Sequence, residues 1–298
     1  MPELPDITLY IERLTAHTVG KTLRGLTIHS PFFLRSVEPK VSDLEGQTVR
    51  GFRRLGKRIA FDFGDELFAV VHLMIAGRMR WRKAGSSNRG KNALATFAFD
   101  HGSLWLTEAS TQKRASLHLL RGENELAQHQ PGGLEPLEAS EAEFTERLRS
   151  QNRTLKRALT DPRIFSGIGN AYSDEILFDA RLSPMKLTSA LSDEETGRLY
   201  VSTQGVLIDW LERFRSEIGD GFPEKVTAFR PEMNVHGKYK EPCVVCSKPI
   251  QRIRYAANEC NYCANCQNAG RLLADRSLSR LLKKDWPKTL DELEQLKA

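Results

Sequence analysis

Apolar positions change their rhythm along the chain, and each change predicts a different kind of structure. Ile7, Ile11 and Leu14 recur at helical spacing directly after Pro5 and Asp6. Asp6 can cap a first turn, so a helix is expected within a few residues of the N-terminus. From residue 26 to about residue 120 the helical period disappears. Short runs rich in branched and aromatic residues replace it, at 59–63, 67–75, 95–100 and 104–107, with turn chemistry at Gly64-Asp65 and Asp100-His101-Gly102. This stretch reads as a mainly β domain, sandwich or barrel, without internal repeat.

Residues 121–140, which include Gly122, Pro131, Gly132, Gly133 and Pro136, keep neither period and read as a connection between domains. The polar, low-complexity stretch 85–91 reads as a mobile surface loop. Helical spacing returns at 144–149, 155–164, 171–180 and 193–217. The expected order is a β domain over 1–120, a linker over 121–140, a helical domain over 141–236, a cysteine-bearing segment over 237–267 and a basic tail over 268–298. In the tail, Leu272, Leu273, Leu278, Leu281 and Leu282 beside Arg271, Arg276, Arg280, Lys283 and Lys284 suggest an amphipathic helix packed on the body with a solvated charged face.

Composition adds a direction. In 298 residues, 44 Lys and Arg stand against 38 Asp and Glu, for a formal charge of +6. That excess suits a polyanionic partner without identifying one. Glu3, Asp6, Glu12 and Arg13 break any signal-peptide core at the N-terminus, and no stretch approaches the roughly 20 apolar residues of a membrane span. A cytoplasmic protein is therefore expected, with no membrane partner.

All five cysteines fall between positions 243 and 266, which in a reducing compartment reads as metal binding rather than disulfide bonding. Cys243 and Cys246 form one CxxC, and Cys263 and Cys266 form another sixteen residues on. Each such turn aims two thiolates at one tetrahedral ion, the spacing of a zinc site. Cys260 with Cys263 offers a second register. The sixteen-residue gap favours Cys263 with Cys266 and leaves Cys260 spare. Four thiolates fill a zinc ion's coordination, so a single structural Zn2+ without chemistry of its own is expected.

Between residues 155 and 177 the chain reads as helix, glycine-bracketed turn, helix. Gly167 and Gly169 let the backbone approach a partner closely, and the second helix offers free N–H groups and a positive dipole end to a phosphate.

Taken together, the opening Met1-Pro-Glu-Leu-Pro-Asp6, the run Gly167-Ile-Gly-Asn-Ala-Tyr-Ser-Asp-Glu175 and the paired CxxC closing in Cys266-Gln267 resemble the formamidopyrimidine-DNA glycosylase and endonuclease VIII family. The resemblance runs from Pro2 to Gln267. It implies an α+β multi-domain chain with an N-terminal β-sandwich flanked by helices, a helix-two-turn-helix domain and a C-terminal zinc finger, with damaged double-stranded DNA bound in the cleft between domains. It also implies a base-excision-repair enzyme acting as a monomer at the nucleoid, a DNA glycosylase with abasic-site lyase activity by β,δ-elimination.

By the same resemblance Met1 is removed, and the secondary amine of Pro2 attacks C1′ of the damaged nucleotide to form a Schiff base. An N-terminal amine has a pKa near 8, against about 10.4 for lysine, so a useful fraction is neutral at physiological pH. Glu3 falls at the family's acid/base position, Lys57 at a lysine on a strand turn that contacts the lesion's phosphates, and His72 at a DNA-contacting histidine. Lys156 and Asn170 fall at phosphate-gripping positions of the helical domain.

Four departures from the family's pattern bear on specificity. The wedge that fills the gap left by an everted nucleotide commonly uses methionine, arginine and phenylalanine. Here Ile75 stands at the methionine position, Lys113 or Arg114 near the arginine position, and Ala115 at the aromatic one. Asn258 replaces a phosphate-bridging arginine, with Arg252 and Arg254 close by. Asp6 replaces a glutamate, and 221–235 is unlike the loop that covers oxidised guanine. An abasic-site lyase or a damaged-DNA-binding protein without base excision is the alternative expectation.

Overall fold

The N-terminal helix α1, Leu4–Thr18, begins slightly earlier than its apolar spacing suggests. Glu3, in extended conformation, is the N-cap, and Asp6 at the third helical position accepts the Glu3 N–H at 2.9 Å. Asp6 therefore caps by reaching back to Glu3. Pro5 in the first turn costs nothing, because those N–H groups lack helical partners in any case.

The computed structural model describes residues 1–224, 226, 228–255, 258–274 and 287–295. Two units divide the chain: Met1–Pro131 with Trp210–Thr227, and Gly132–Asp209 with Ala228–Ala298.

The first unit is a β-sandwich. Strands β1 (Gly25–Ile28), β2 (Gly51–Leu55), β3 (Arg58–Asp62), β4 (Leu67–His72), β5 (Gly77–Arg82), β6 (Ala93–Phe99), β7 (Gly102–Glu108) and β8 (Ser116–Arg121) form two antiparallel sheets. Their orders are β1-β6-β7-β5 and β2-β3-β4-β8. One apolar core joins them: Phe97, Leu104, Leu106 and Met79 from the first sheet meet Ile59, Phe61, Val71 and Leu117 from the second, and α1 adds Ile7, Tyr10 and Leu14. Phe61 stacks on Phe97 with ring centroids 5.2 Å apart. Each such fully buried side chain contributes roughly 1.5–3 kcal/mol. Part of the stretch expected as linker forms helix α2, Glu123–Gln128, whose Leu126 covers Ala60, Phe68, Val70 and Leu120 on the outer face of the second sheet. The loop 85–91 is tied down at one point, where buried Asn88 donates to the Ala95 carbonyl at 3.3 Å.

The second unit carries helices α3 (Glu141–Arg149), α4 (Leu155–Thr160), α5 (Asn170–Asp179) and part of α6 (Asp193–Ile218), followed by the hairpin β9 (Gln251–Tyr255) and β10 (Asn258–Tyr262) and by α7 (Ala264–Asn268). α4 stops short of the expected residue 164, because Asp161 precedes Pro162 and takes an extended conformation. α5 is buried on every face from Ala171 to Phe178. Leu272 and Leu273 are not helical as expected. They pack beside Ile253, Tyr262 and Leu290, and the Leu272 N–H donates to the Lys288 carbonyl. The rest of the expected tail helix, through Lys284, lies outside the described residues.

Candidate functional site

Strand pairing brings two loops together at one end of the sandwich. Residues 73–76 carry the chain from β4 in one sheet to β5 in the other, and residues 109–115 carry it back from β7 to β8. Gly77 pairs with Glu108 across the first sheet and His72 with Ser116 across the second, so the two crossovers run side by side. The first is tight. Gly77 donates its N–H to the Leu73 carbonyl at 2.9 Å, and a Cβ at Gly77 would stand 2.2 Å from that oxygen, so only glycine fits. Ile75 at its tip is 59% exposed.

The second crossover is pinned from inside. Glu108 is buried, and its carboxylate accepts the backbone N–H groups of Arg114 at 3.0 Å and Ala115 at 3.2 Å, while Lys113 Nζ donates to the Glu108 carbonyl. The Arg114 guanidinium is left at the surface, donating to Gln112 Oε1 at 2.7 Å. Ala115 is buried in the sandwich core, so no side chain projects where the family resemblance expects an aromatic wedge.

The chain's N-terminus belongs to the same end. Burial depresses the pKa of the Met1 amine below its ordinary value; Glu3 and Asp6 oppose this, and Arg78 and Lys57 reinforce it. Lys57 lies in the β2–β3 turn and Arg78 follows Gly77 in β5. Pro2 and Glu3 are both buried. Glu3 is thus the N-cap of α1 and adjoins Pro2 in the chain. His72 is half-buried, and burial, with Arg58, Lys57 and His118 behind it, lowers its pKa to about 4. Its ring is neutral at physiological pH.

In the second unit Lys156 stands behind the glycine turn. Its ammonium is buried and donates to the Asn170 carbonyl at 2.7 Å, Ser173 Oγ at 2.8 Å and Asp174 Oδ1 at 2.5 Å. The other Asp174 oxygen takes His236 Nδ1 at 2.8 Å and the Asn261 N–H at 3.1 Å. Burial pushes the Asp174 carboxyl up, but Lys156 and His236 outweigh it and hold it below the usual carboxylate range. Neighbouring Glu175 accepts four N–H groups, from the backbones of Asn234, Val235 and His236 and from the Asn234 side chain. Asn170 Nδ2 donates to the Glu259 carbonyl of the hairpin at 2.7 Å. Gly167 takes φ +78°, which glycine adopts without strain.

Cys243, Cys246, Cys263 and Cys266 bring four sulfurs within 4.8 Å of one another. Cys243 Sγ lies 3.9 Å from Cys266 Sγ, and Cys246 Sγ 3.5 Å from Cys263 Sγ. Cys260 stands apart, buried beside Asp174, and burial pushes its thiol pKa up. In the hairpin, the Arg252 guanidinium lies over the Tyr239 ring at 4.1 Å and faces Glu259 at 3.5 Å. Arg254 is exposed, and the Asn258 side chain lies outside the described residues.

Sequence reading passed over Arg78, Glu108, Asp174 and Glu175. The residue types were visible, but their roles follow from strand pairing and burial. Asp174 and Glu175 close the run 167–175 that carries the resemblance, and Arg78 follows the matched His72 segment, so a signal was present at those positions.

The formamidopyrimidine-DNA glycosylase N-terminal domain model matches residues 1–115, and the formamidopyrimidine-DNA glycosylase H2TH domain model matches residues 133–219. The formamidopyrimidine-DNA glycosylase of Desulfitobacterium hafniense is 30% identical over 279 residues, a match that covers 90% of this chain and 100% of that protein. The chain belongs to the formamidopyrimidine-DNA glycosylase family. The glycosylase of Listeria monocytogenes is 29% identical over 274 residues, again covering 90% of this chain and 100% of its own length. Two solved structures share the fold. MutM in complex with carbocyclic 8-oxo-G containing DNA superposes with a TM-score of 0.79 at 27% identity, covering 90% of this chain and 100% of that one. Lactococcus lactis Fpg in complex with an abasic site containing DNA gives 0.77 at 26% identity, covering 89% and 99%. The glycosylase fold is thus an N-terminal β-sandwich, a helix-two-turn-helix domain and a cysteine cluster. No helix among the described residues is long and apolar enough to cross a membrane.

Proposed function

We propose that this chain is a base-excision DNA glycosylase and abasic-site lyase acting on damaged duplex DNA, with the imino nitrogen of Pro2, freed by removal of Met1, as its nucleophile. The observation that supports the reading is the setting of the N-terminus: Pro2 and Glu3 are buried, and Lys57 and Arg78 act on the amine of Met1, one residue ahead of Pro2, at the end of the sandwich from which both crossovers emerge.

The chemistry follows from a secondary amine. The neutral Pro2 nitrogen adds to C1′ of the damaged nucleotide, and the C1′–base bond breaks with its electron pair going to the base, which takes up a proton. Glu3 protonates the deoxyribose ring oxygen as the sugar opens, and the Pro2 nitrogen loses its own proton. The product is an iminium that is cationic without further protonation, because a secondary amine keeps no N–H after forming it. That cation acidifies C2′, so loss of the C2′ proton expels the 3′ phosphate, and a second elimination expels the 5′ phosphate. Water then releases the sugar fragment from Pro2.

Lys57 and His72 hold the phosphates beside the lesion, the lysine as a fixed cation and the histidine as a neutral donor. Ile75 and Arg114, carried on the two crossovers, enter the stack vacated by the everted nucleotide. Lys156 acts from behind, fixing the Asn170 turn whose N–H groups and side chain meet backbone phosphate.

One structural zinc is the metal these cysteines suit. A tetrahedral ion at about 2.3 Å from each sulfur sets sulfurs about 3.8 Å apart, against the 3.5 and 3.9 Å found. Bound there, zinc cross-links the hairpin and leaves no open coordination position. Metal analysis should return one zinc per chain, lost in Cys246→Ser and kept in Cys260→Ala.

The reading is tested on duplexes carrying one oxidised, ring-opened or abasic residue, with base release followed by mass and nicking by gel. Release, and a nick with phosphate on both ends, is expected. A chain with a non-removable N-terminal extension should do neither. No release and no nick on any duplex would sink the reading. The burial of Ala115, which leaves the wedge without its aromatic, favours a second reading in which only abasic sites are cut; nicking without base release is its signature. The cytoplasm, where bacterial DNA lies, is the compartment this function requires.

A further inference from the structure

The outer face of β3, β4 and β8 carries a basic row that the catalytic reading leaves unused. Arg58 stands opposite His72, and His72 opposite Ser116. His118, two residues along β8, shares the face of Ser116 and stands beyond Val70. Its ring meets that of His129, just past α2, at 4.6 Å between centroids and an interplanar angle of 61°. The Arg58 guanidinium donates to the His129 carbonyl at 2.9 Å. Arg35 closes the group: its N–H donates to the Leu117 carbonyl at 2.8 Å, and its exposed guanidinium acts on His118.

Three of these groups, His118, His129 and Arg58, are half-buried, where like charges repel most strongly. Burial first, then His129, Arg58 and Arg35, hold the His118 pKa below its ordinary value; burial and Arg58 do the same to His129, against the opposing carboxylate of Glu125 on α2. Glu125 is itself engaged with the Arg121 N–H at 3.1 Å. A cluster of this kind gains from an anion. From Ser116 to His118 the strand advances about 6.8 Å, while each strand of duplex DNA adds a charge for about every 3.4 Å of axis. A backbone held at Lys57 and His72 therefore offers the next groups further phosphates.

We propose that Arg58, His118, His129 and Arg35 form a second phosphate subsite, which grips the DNA strand as it runs on from the lesion along the outer face of β8. The inference rests on the reading that Lys57 and His72 hold phosphates at the lesion. Phosphate binding protonates His118 and His129, so occupation of the subsite takes up protons.

The test uses a long duplex with an uncleavable abasic analogue, and a short one cut back to the nucleotides beside the lesion. For the long duplex, the slope of log affinity against log salt should fall by about one for each phosphate that the double variant His118→Gln/His129→Gln no longer neutralises. Between about 50 and 200 mM salt the wild-type chain then loses roughly threefold more affinity per such phosphate than the variant. Wild-type binding should tighten as pH falls from about 7 toward 5. The variant should lose that part of the dependence, while His72 keeps its own titration, relieved only of the last and smallest of its repulsions, that of His118. The short duplex should not distinguish them. Equal slopes and equal pH dependence on the long duplex, or an equal loss on the short one, would overturn the proposal. Arg35→Gln serves if the double variant melts: a slope reduced by about one supports the subsite and an unchanged slope refutes it. Because the analogue reports binding alone, failure of the Pro2 chemistry shows separately, as a wild-type chain that binds with the expected slope and nicks nothing.

Discussion

Arg78 and Lys57 are the cations that act on the terminal amine, and Glu3 and Asp6 the carboxylates that oppose them. Burial and the two cations prevail and lower the pKa of the Met1 amine, and the same surroundings act on a Pro2 amine once Met1 is removed. On the proposed mechanism the neutral Pro2 amine is the nucleophile, so the rate of Schiff-base formation at saturating enzyme should rise with pH through an inflection to a plateau. Removing a cation raises the amine's pKa. Arg78→Leu should move that inflection upward, and Lys57→Met should move it upward by less, as measured by single-turnover trapping across pH. An inflection that stays put or moves down in Arg78→Leu contradicts the assignment. At this scale the family resemblance singled out Pro2, Glu3, Lys57 and His72, and their roles stand as proposals. Arg78 and Glu108 were not singled out, since a charged residue on a strand reads the same whether it faces water or a buried carboxylate cradle.

Elements were legible where their spacing was regular and blurred where burial was complete. Helical spacing over 171–180 locates α5 to within a residue of its observed span, Asn170–Asp179. It could not reveal that Ser173, Asp174 and Glu175 point into the protein, because their partners at Lys156, Asn234, His236 and Asn261 come from remote parts of the sequence. α5 is in effect a polar hub that ties the glycine turn and the hairpin to one helix. Lys156→Met leaves the Asp174 carboxylate buried without its strongest partner, and should destabilise the second unit by about 3–5 kcal/mol, read from the urea midpoint. Adding Asp174→Asn should recover part of that loss. A single variant as stable as the wild type would show that the ion pair holds nothing together. The crossovers escaped the sequence for a related reason: their adjacency is a product of the His72–Ser116 and Gly77–Glu108 pairings, and β-register leaves no local mark.

For the whole molecule, three separated motifs predicted the family, and matches covering 90% of the chain bear it out. The α+β order of sandwich, helical domain and cysteine cluster follows from it. Net charge carried less: an excess of +6 says that a polyanion is welcome but not where. Only the folded chain shows one basic group at the amine and another along β8. The same motifs that predict the family also predict its chemistry, yet the crossovers proposed as the wedge carry an exposed Ile75 and Arg114, while Ala115 faces the core. The lesion spectrum therefore follows from this chain's own loops. Beneath every step lies the nitrogen of Pro2, and the most direct measurement is to reduce the enzyme–DNA intermediate on an abasic duplex with borohydride and map the modified peptide by mass. The account predicts one sugar fragment on the Pro2 nitrogen of a chain that lacks Met1. An adduct on Lys57 or another lysine, or a chain that cleaves DNA with Met1 in place, would contradict it.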